Sequence, residues 1–139
     1  MHAYAKGGLY MINSNAFDYI NVLDKAADAS WKRQELISNN IANQDTPGYK
    51  RQDIRFETEL QQALKFSKYT SVDDKVSNIK LSRLNGKQYT DYGNYSYRLD
   101  GNNVDPEQEQ VKLASNQLKY QGLMNSLTQE FQNLQSVMK

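Results

Sequence analysis

Carboxylates are the only side chains in this sequence that could carry catalysis. Asp73-Asp74, and Glu107 with Glu109, could in principle supply an acid and a base, the arrangement that cleaves glycosidic bonds. Simpler roles fit both pairs better. Adjacent acids in a polar stretch are usually solvated, and Glu107 and Glu109 follow Asp105-Pro106, where negative charge complements the positive end of a helix dipole. Cysteine is absent, which removes thiol nucleophiles, disulfide scaffolds and zinc knuckles together. His2, beside the start, is the single histidine, and a lone terminal imidazole is far more often solvated than a ligand or a base. The sequence holds no Gly-rich phosphate loop, no metal-spaced ligand set and no triad. It reads as a chain that is not an enzyme and takes no cofactor, metal or small-molecule substrate.

The charge balance narrows the partners. With 17 Lys+Arg against 16 Asp+Glu there is no basic excess to neutralise phosphates, so nucleic acid and anionic membrane surfaces are disfavoured. The 139 residues make one domain's length of chain, but only 38% are hydrophobic and the mean hydropathy is −0.85. A compact globule of this size would bury roughly 68–70% of its unfolded surface, more than so polar a chain fills comfortably. An elongated or oligomerising chain is expected. No apolar run approaches the roughly 20 residues that cross a bilayer. Met1 to Tyr10 lacks the apolar core of a cleavable secretory signal, so departure from the cytoplasm would need another route. Gly7 and Gly8 predict a flexible segment over residues 1–15, within which Met11 is a second possible start.

Two helices must position everything else. From Ala16 to Asn43 no Gly or Pro intervenes, and Ala16, Ile20, Leu23, Ala27, Ile37 and Ile41 fall at three-four spacing, with Ser30 and Gln34 in the places between. Trp31 and Leu36 broaden that stripe. Such a helix is about 40 Å long at about 1.5 Å per residue. Asp45, Thr46, Pro47 and Gly48 end it, giving a helix-and-turn unit over 16–49. The second unit, 105–139, starts cleanly: Asp105 caps and Pro106 suits the first helical position. Its stripe of Leu113, Gln117, Tyr120, Met124, Leu127, Phe131, Leu134 and Met138 is a heptad seam, with a shoulder of Val111, Ala114, Leu118 and Leu123. Gly122 weakens this helix by about 1 kcal/mol against Ala. Folded antiparallel, the two helices leave one shoulder of each exposed, and such faces mark interfaces.

Residues 50–104 form a polar middle. Asn85-Gly86 predicts a β-hairpin turn, flanked by Ile79, Leu81 and Leu84 before it and by Tyr89 and Tyr92 after it. Tyr95, Tyr97 and Leu99 alternate as a half-buried strand would, and Glu57 to Phe66 has helical spacing. The alternative is a disordered middle. The fold class is therefore mainly α: two long terminal helices pairing as a coiled coil around a middle that holds a small β-hairpin or is disordered.

Two motifs remain. The run Ser38 to Arg51 places three asparagines on the last turns of a helix, then a Pro-Gly turn, then Tyr49, Lys50 and Arg51. Asparagine is a mediocre helix residue, and its clustering suggests side-chain amides bridging to a neighbouring backbone. Read from physics alone, the run is a helix C-terminus with a tight turn. The pattern Asn39, Asn40, Ala42, Asn43, Thr46, Gly48 and Tyr49 resembles the N-terminal signature of the flagellar rod, hook and hook-filament-junction proteins. Asp100, Gly101, Asn102, Asn103, Val104 and Asp105, then Glu109, Ala114, Asn116, Gln117, Leu118, Tyr120 and Gln121, are similar to the C-terminal signature of the proximal rod members. The likeness covers the ends of the chain and leaves 60–99 without counterpart. Glu109-Gln110 departs from the family's usual Glu-Met.

The resemblance implies a structural protein whose terminal helices pair and line the inner tube of an axial shaft that transmits torque. It carries Ile20, Ala27, Ile37 and Ile41 of the first helix into that coiled coil, with Leu113, Tyr120, Met124, Leu127, Phe131 and Leu134 of the second. The turn Asn43 to Tyr49 would be a subunit contact, and Asp100, Asn102 and Asn103 would shape the return into the second helix, with Gly101 allowing the backbone to turn. Implied partners are further copies of the chain, other rod proteins, the junction with the membrane ring, and the flagellar type III export apparatus. The implied place is the periplasmic rod of the basal body. Non-closing interfaces would build a helical tube, and weak isolated helices would resist premature assembly. A sister proximal rod protein is the nearest alternative; a soluble adaptor that binds a partner's helix in a groove is the more distant one.

Overall fold

The computed structural model describes residues 2–92 and 98–138, with side chains from residue 16 onward. The elements are α1 (His2–Ala42), β1 (Gln52–Arg55), α2 (Glu57–Lys65), α3 (Val72–Ser77), a 3-10 turn over Leu81–Arg83, β2 (Lys87–Thr90) and α4 (Pro106–Met138). The chain is mainly helical, with long terminal helices and a small antiparallel sheet between them, as expected. Helix α1 begins at His2 and passes through Gly7-Gly8, so that pair does not break the helix. Each glycine costs roughly 1 kcal/mol against alanine there but does not forbid helical dihedrals.

The terminal helices run antiparallel. Asn40 lies level with Glu109, Ser30 with Asn116, and Ile20 with Leu127 and Leu134. On α1 the expected stripe is the observed one: Ile20, Ala27, Ser30 and Ile37 are buried, and Ala16, Leu23, Gln34 and Ile41 half-buried. On α4 the seam is turned. Leu127 and Leu134 are buried and Leu113 and Tyr120 half-buried, but Gln117, Met124, Phe131 and Met138 are exposed. The alternate places are taken by Glu109 and Asn116, both buried, and by half-buried Leu123. The heptad persists with every second position shifted by one residue. Polar side chains can point inward when protein partners replace water. Asn116 donates to the Ser30 carbonyl at 2.8 Å and to Gln34 Oε1 at 3.2 Å.

Helix α1 also has a second buried face, displaced around its axis from the α4 seam. Ala26, Ala29 and Leu36 pack there with Ile54, Phe56 and Leu84, and half-buried Val22, Leu60 and Ala63 close the edge. Small alanines let the sheet approach α1 closely. Strand β1 pairs with β2 in the register Gln52↔Thr90, Asp53↔Tyr89, Ile54↔Gln88 and Arg55↔Lys87. The expected local hairpin at Asn85-Gly86 therefore does not form, because the partner of β2 lies upstream. Leu84 is drawn almost fully into the α1 cluster, which folds the preceding residues into the 3-10 turn. Gly86, at φ +65, does turn the chain, and a Cβ there would sit 2.6 Å from Ile54 Cδ1. Its N–H and that of Lys87 donate to the Glu59 carboxylate at 3.1 and 3.2 Å. The middle is thus folded from Arg51 to Tyr92 and not disordered. Tyr95 and Tyr97 lie outside the described residues, and Leu99 is fully exposed in a turn.

Helix α2 is tied to α1 through Arg33. Its guanidinium donates to both Glu57 oxygens, at 2.5 and 2.7 Å, to Asp53 Oδ1 at 3.1 Å and to the Ile54 carbonyl at 2.8 Å. Lys119 of α4 also meets Glu57. The Arg33 bond, opposed by burial and aided by Lys119, holds the Glu57 carboxyl down at about 2. An unfolded glutamate titrates near 4.5, so this stabilisation is complete above about pH 4.5 and is lost as pH falls toward 2. Because the Glu57 side chain is 48% exposed, solvent screening limits the effect to about 1 kcal/mol. Glu57→Gln should therefore lower stability slightly at pH 7 and flatten its decline below pH 4.5, read from urea unfolding across that range.

Candidate functional site

Both sequence motifs meet in one place, where the C-terminal turns of α1, the start of β1 and the N-terminus of α4 converge. Asn40, wholly buried, is the hub. Its amide nitrogen donates to the Gln52 carbonyl at 2.9 Å and to Glu109 Oε2 at 3.1 Å. Its oxygen accepts the Gln52 N–H at 2.9 Å and the Tyr49 hydroxyl at 3.1 Å. Two donor hydrogens and two lone pairs are all that an asparagine amide has, so every one is used. The amide mimics a strand partner for Gln52, tying the end of α1 to the beginning of the sheet.

Arg51 supplies the charge that Glu109 needs. The guanidinium, 4% exposed, donates from Nε to Glu109 Oε1 at 2.6 Å, from one terminal nitrogen to Asp91 Oδ2 at 2.7 Å, and from the other to Asp53 Oδ2 at 3.2 Å. Burial works against the charged guanidinium, but the bonds to Glu109, Asp91 and Asp53 outweigh it and hold the proton more firmly than in a free arginine. Burial, and then the Glu109 charge, push the Tyr49 phenol upward. Burying an ion pair in this way is tolerable only because the remaining oxygens and protons find partners.

The second motif closes over the first. Asn102 donates to the carbonyls of Asn43 and Thr46, both at 2.8 Å, so it caps the frayed end of α1 from outside, while its own oxygen accepts the Val104 N–H at 2.8 Å. Asn103 accepts the Arg51 N–H at 2.8 Å and donates to the Asp91 carbonyl at 2.6 Å. Gly48 and Gly101 hold positive φ of 74 and 76, and the Gly48 N–H donates to the Asp100 carbonyl at 2.7 Å. A Cβ on Gly101 would lie 3.8 Å from the Gly48 Cα, so the two turns stack backbone against backbone. Asp100 accepts the Asn102 N–H at 3.1 Å, and Thr46 Oγ1 donates to Asn43 Oδ1 at 3.1 Å. Asp105 caps α4, accepting from Glu107 and Gln108 at 3.0 and 3.4 Å.

Of the motif residues, Asn40, Asn43, Thr46, Gly48, Tyr49, Asp100, Gly101, Asn102 and Asn103 are brought into this latch, Thr46 and Gly48 at its exposed outer edge. Asn39 and Ala42 are exposed on its outer side, and Gln117 faces solvent along α4. Amides bridge to neighbouring backbone, as their clustering suggests. Arg51 carries more than its position as the second cation after a turn conveys, and Asp53 and Asp91 have no motif to mark them. Glu109 is not merely a dipole partner: it is 1% exposed and ion-paired. Its place inside the second motif is the signal that distinguishes it from Glu107.

The model of the family described as flagella basal body rod protein matches residues 20–50, which includes Asn39 to Tyr49 of the first motif and stops one residue before Arg51. The flagellar basal body rod protein FlgB of Bacillus subtilis is 32% identical over 86% of this chain and 92% of its own. The chain belongs to the flagellar basal body rod protein family. FlgB of Borreliella burgdorferi is 34% identical over 77% of this chain and 85% of its own, and FlgB of Escherichia coli 30% identical over 78% and 83%. In this rod protein the latch is a joint: it locks the direction in which each terminal helix leaves the middle.

Arg51→Ala should cost about 3 kcal/mol, because it leaves the buried Glu109 with only the Asn40 amide and the longer 3.8 Å contact to Lys112. Replacing the pair together, Arg51→Met with Glu109→Leu, should recover much of that loss. Urea unfolding of the three proteins makes the comparison.

Proposed function

We propose that this chain is a structural subunit of the flagellar basal body rod, placed in its proximal part, whose paired terminal helices pack against neighbouring subunits. The observation that carries this reading is that both terminal helices of a chain sharing most of its length with rod proteins start from one buried latch. That latch sends α1 and α4 out as an antiparallel pair, and one flank of the pair carries no other element among the described residues. Ile20, Ala27, Ile37, Ile41, Leu113, Tyr120, Leu127 and Leu134 hold the pair together. Met124 and Phe131, on its surface, are left for neighbours. The exposed residues of the turn, Asn39, Ala42, Thr46 and Gly48, form a second contact.

Further copies of the chain, other rod proteins and the membrane-ring junction are the partners this arrangement fits. Delivery by the flagellar type III export apparatus to the periplasmic side completes the reading. No described helix is long and apolar enough to cross a membrane. Stacked subunits with interfaces that do not close grow as a helical tube, the form that can transmit torque along its axis. The role is mechanical and not catalytic. Glu109 is occupied by Arg51 and Asn40, Asp73 accepts the Tyr19 hydroxyl at 2.6 Å, and Asp74 sits on the first turn of α3, whose cap Ser71 accepts the Asp74 N–H at 3.1 Å.

In-frame deletion of the gene should leave cells with a membrane ring and export gate but no rod, hook or filament in electron cryotomograms. Complete flagella in the deletion strain would overturn the proposal and bring the helical adaptor forward.

A further inference from the structure

The flank of the α1/α4 seam that faces away from the sheet holds an open apolar groove of about 660 Å³. Ala27 and Trp31 form its α1 wall; Met124, Leu127 and Phe131 form its α4 wall. Three of these side chains are large and exposed: Trp31 at 58%, Phe131 at 53% and Met124 at 41%. The Trp31 ring meets Tyr120 at 5.9 Å, tilted by 49°, and closes one end. The groove's charge is of one sign. Asp24 and Asp28 stand on its rim, no lysine or arginine lines it, and neither carboxylate has an ion-pair partner among the described residues. Beyond Tyr120 the surface continues to Asn116, whose buried Oδ1 accepts no hydrogen bond among the described residues. The groove thus asks for an apolar side chain flanked by cationic donors.

The same chain presents that combination elsewhere. At the end of α2, Phe66 is 78% exposed between Lys65 and Lys68. Lys65 Nζ is 5.9 Å from the Phe66 ring centroid, and Lys68 Nζ is 5.3 Å from that of Tyr69. Neither lysine has a carboxylate partner among the described residues. Helices α2 and α3 both pack on the sheet side of α1, through Leu60 and Ala63 and through the Tyr19–Asp73 bond. The Phe66 knob therefore lies on the opposite flank from its own chain's groove.

We propose that the groove of one copy receives the Lys65-Phe66-Ser67-Lys68 knob of a second copy, with Phe66 seated between Met124 and Phe131 and the lysines meeting Asp24 and Asp28. The reading rests on the rod-subunit proposal above. Knob and groove are different surfaces of the molecule, so the contact is head-to-tail and propagates instead of closing into a dimer. Aromatic burial supplies the attraction, and the opposed charges select the partner.

The absence of native cysteine permits a direct test. Cells whose only copy of the chain carries Ser67→Cys with Thr128→Cys, which border the contact and leave Phe66 and Met124 in place, are grown, and their basal bodies are isolated and oxidised. The proposal expects disulfide-linked dimers and longer ladders, with each single variant remaining monomeric. Adding Asp24→Lys and Asp28→Lys should reduce the ladder about tenfold, and Lys65→Glu with Lys68→Glu should restore it. Rods that form without a 67–128 link, links in the single variants, or a ladder indifferent to charge reversal would overturn the docking while leaving the rod reading intact. Motility lost in the Asp24→Lys, Asp28→Lys variant and not regained by the lysine reversal would assign the groove to a different subunit, and would also overturn it. Failure of the rod reading is recognised separately, as complete flagella in the deletion strain.

Discussion

A charge taken out of water must be answered, and in this protein the Arg51–Glu109 pair sets that requirement. The arginine follows the turn after α1, and the glutamate lies one turn into α4. Asn40 of α1 bridges to the same carboxylate. No slide of one helix along the other preserves these bonds, because moving α4 by a residue would carry Glu109 away from Asn40 and leave Arg51 without its shortest contact. An apolar substitute could match the stability of such a pair, but it would tolerate several alignments. The polar latch accepts one.

That constraint explains how a chain so short of apolar residues folds at all. Helix α1 is used on two faces: Ile20, Ala27 and Ile37 meet α4, while Ala26, Ala29 and Leu36 receive the sheet and Leu84. Each cluster is small, and each is closed at its edge by hydrogen bonds, at Asn116 for the helix pair and at Arg33 for the sheet. One flank of the helix pair keeps an open apolar groove walled by Trp31, Met124 and Phe131. In a solitary globule that would be a liability; in the proposed stacked shaft it is a place for a neighbouring subunit.

Much of this was legible in the residues. The α1 stripe, the Asp105-Pro106 start of α4, the Glu57 helix and the bridging role of the asparagines all follow from local rules of spacing, capping and amide geometry. The α4 seam misled at alternate positions because Met124 and Phe131 look like core and Asn116 and Glu109 look like surface; only the partners contributed by Ser30 and Arg51, far away in sequence, reverse that. The Asn85-Gly86 turn misled for a related reason. Its residues do turn the chain, but β2 pairs with β1, and the pull on Leu84 from α1 is invisible to any short window. Long-range partners decide these cases, and periodicity does not report them.

Native-state hydrogen exchange of the purified chain, followed at single amides, tests the latch most directly. Among the described residues the N–H groups of Arg51, Gln52 and Val104 bond only to asparagine side chains, so no described secondary structure protects them. If the latch is the joint on which the fold depends, they exchange only with global unfolding, at the same free energy as the Ile37 and Leu127 amides. Rapid exchange of those three while both helices stay protected would contradict it.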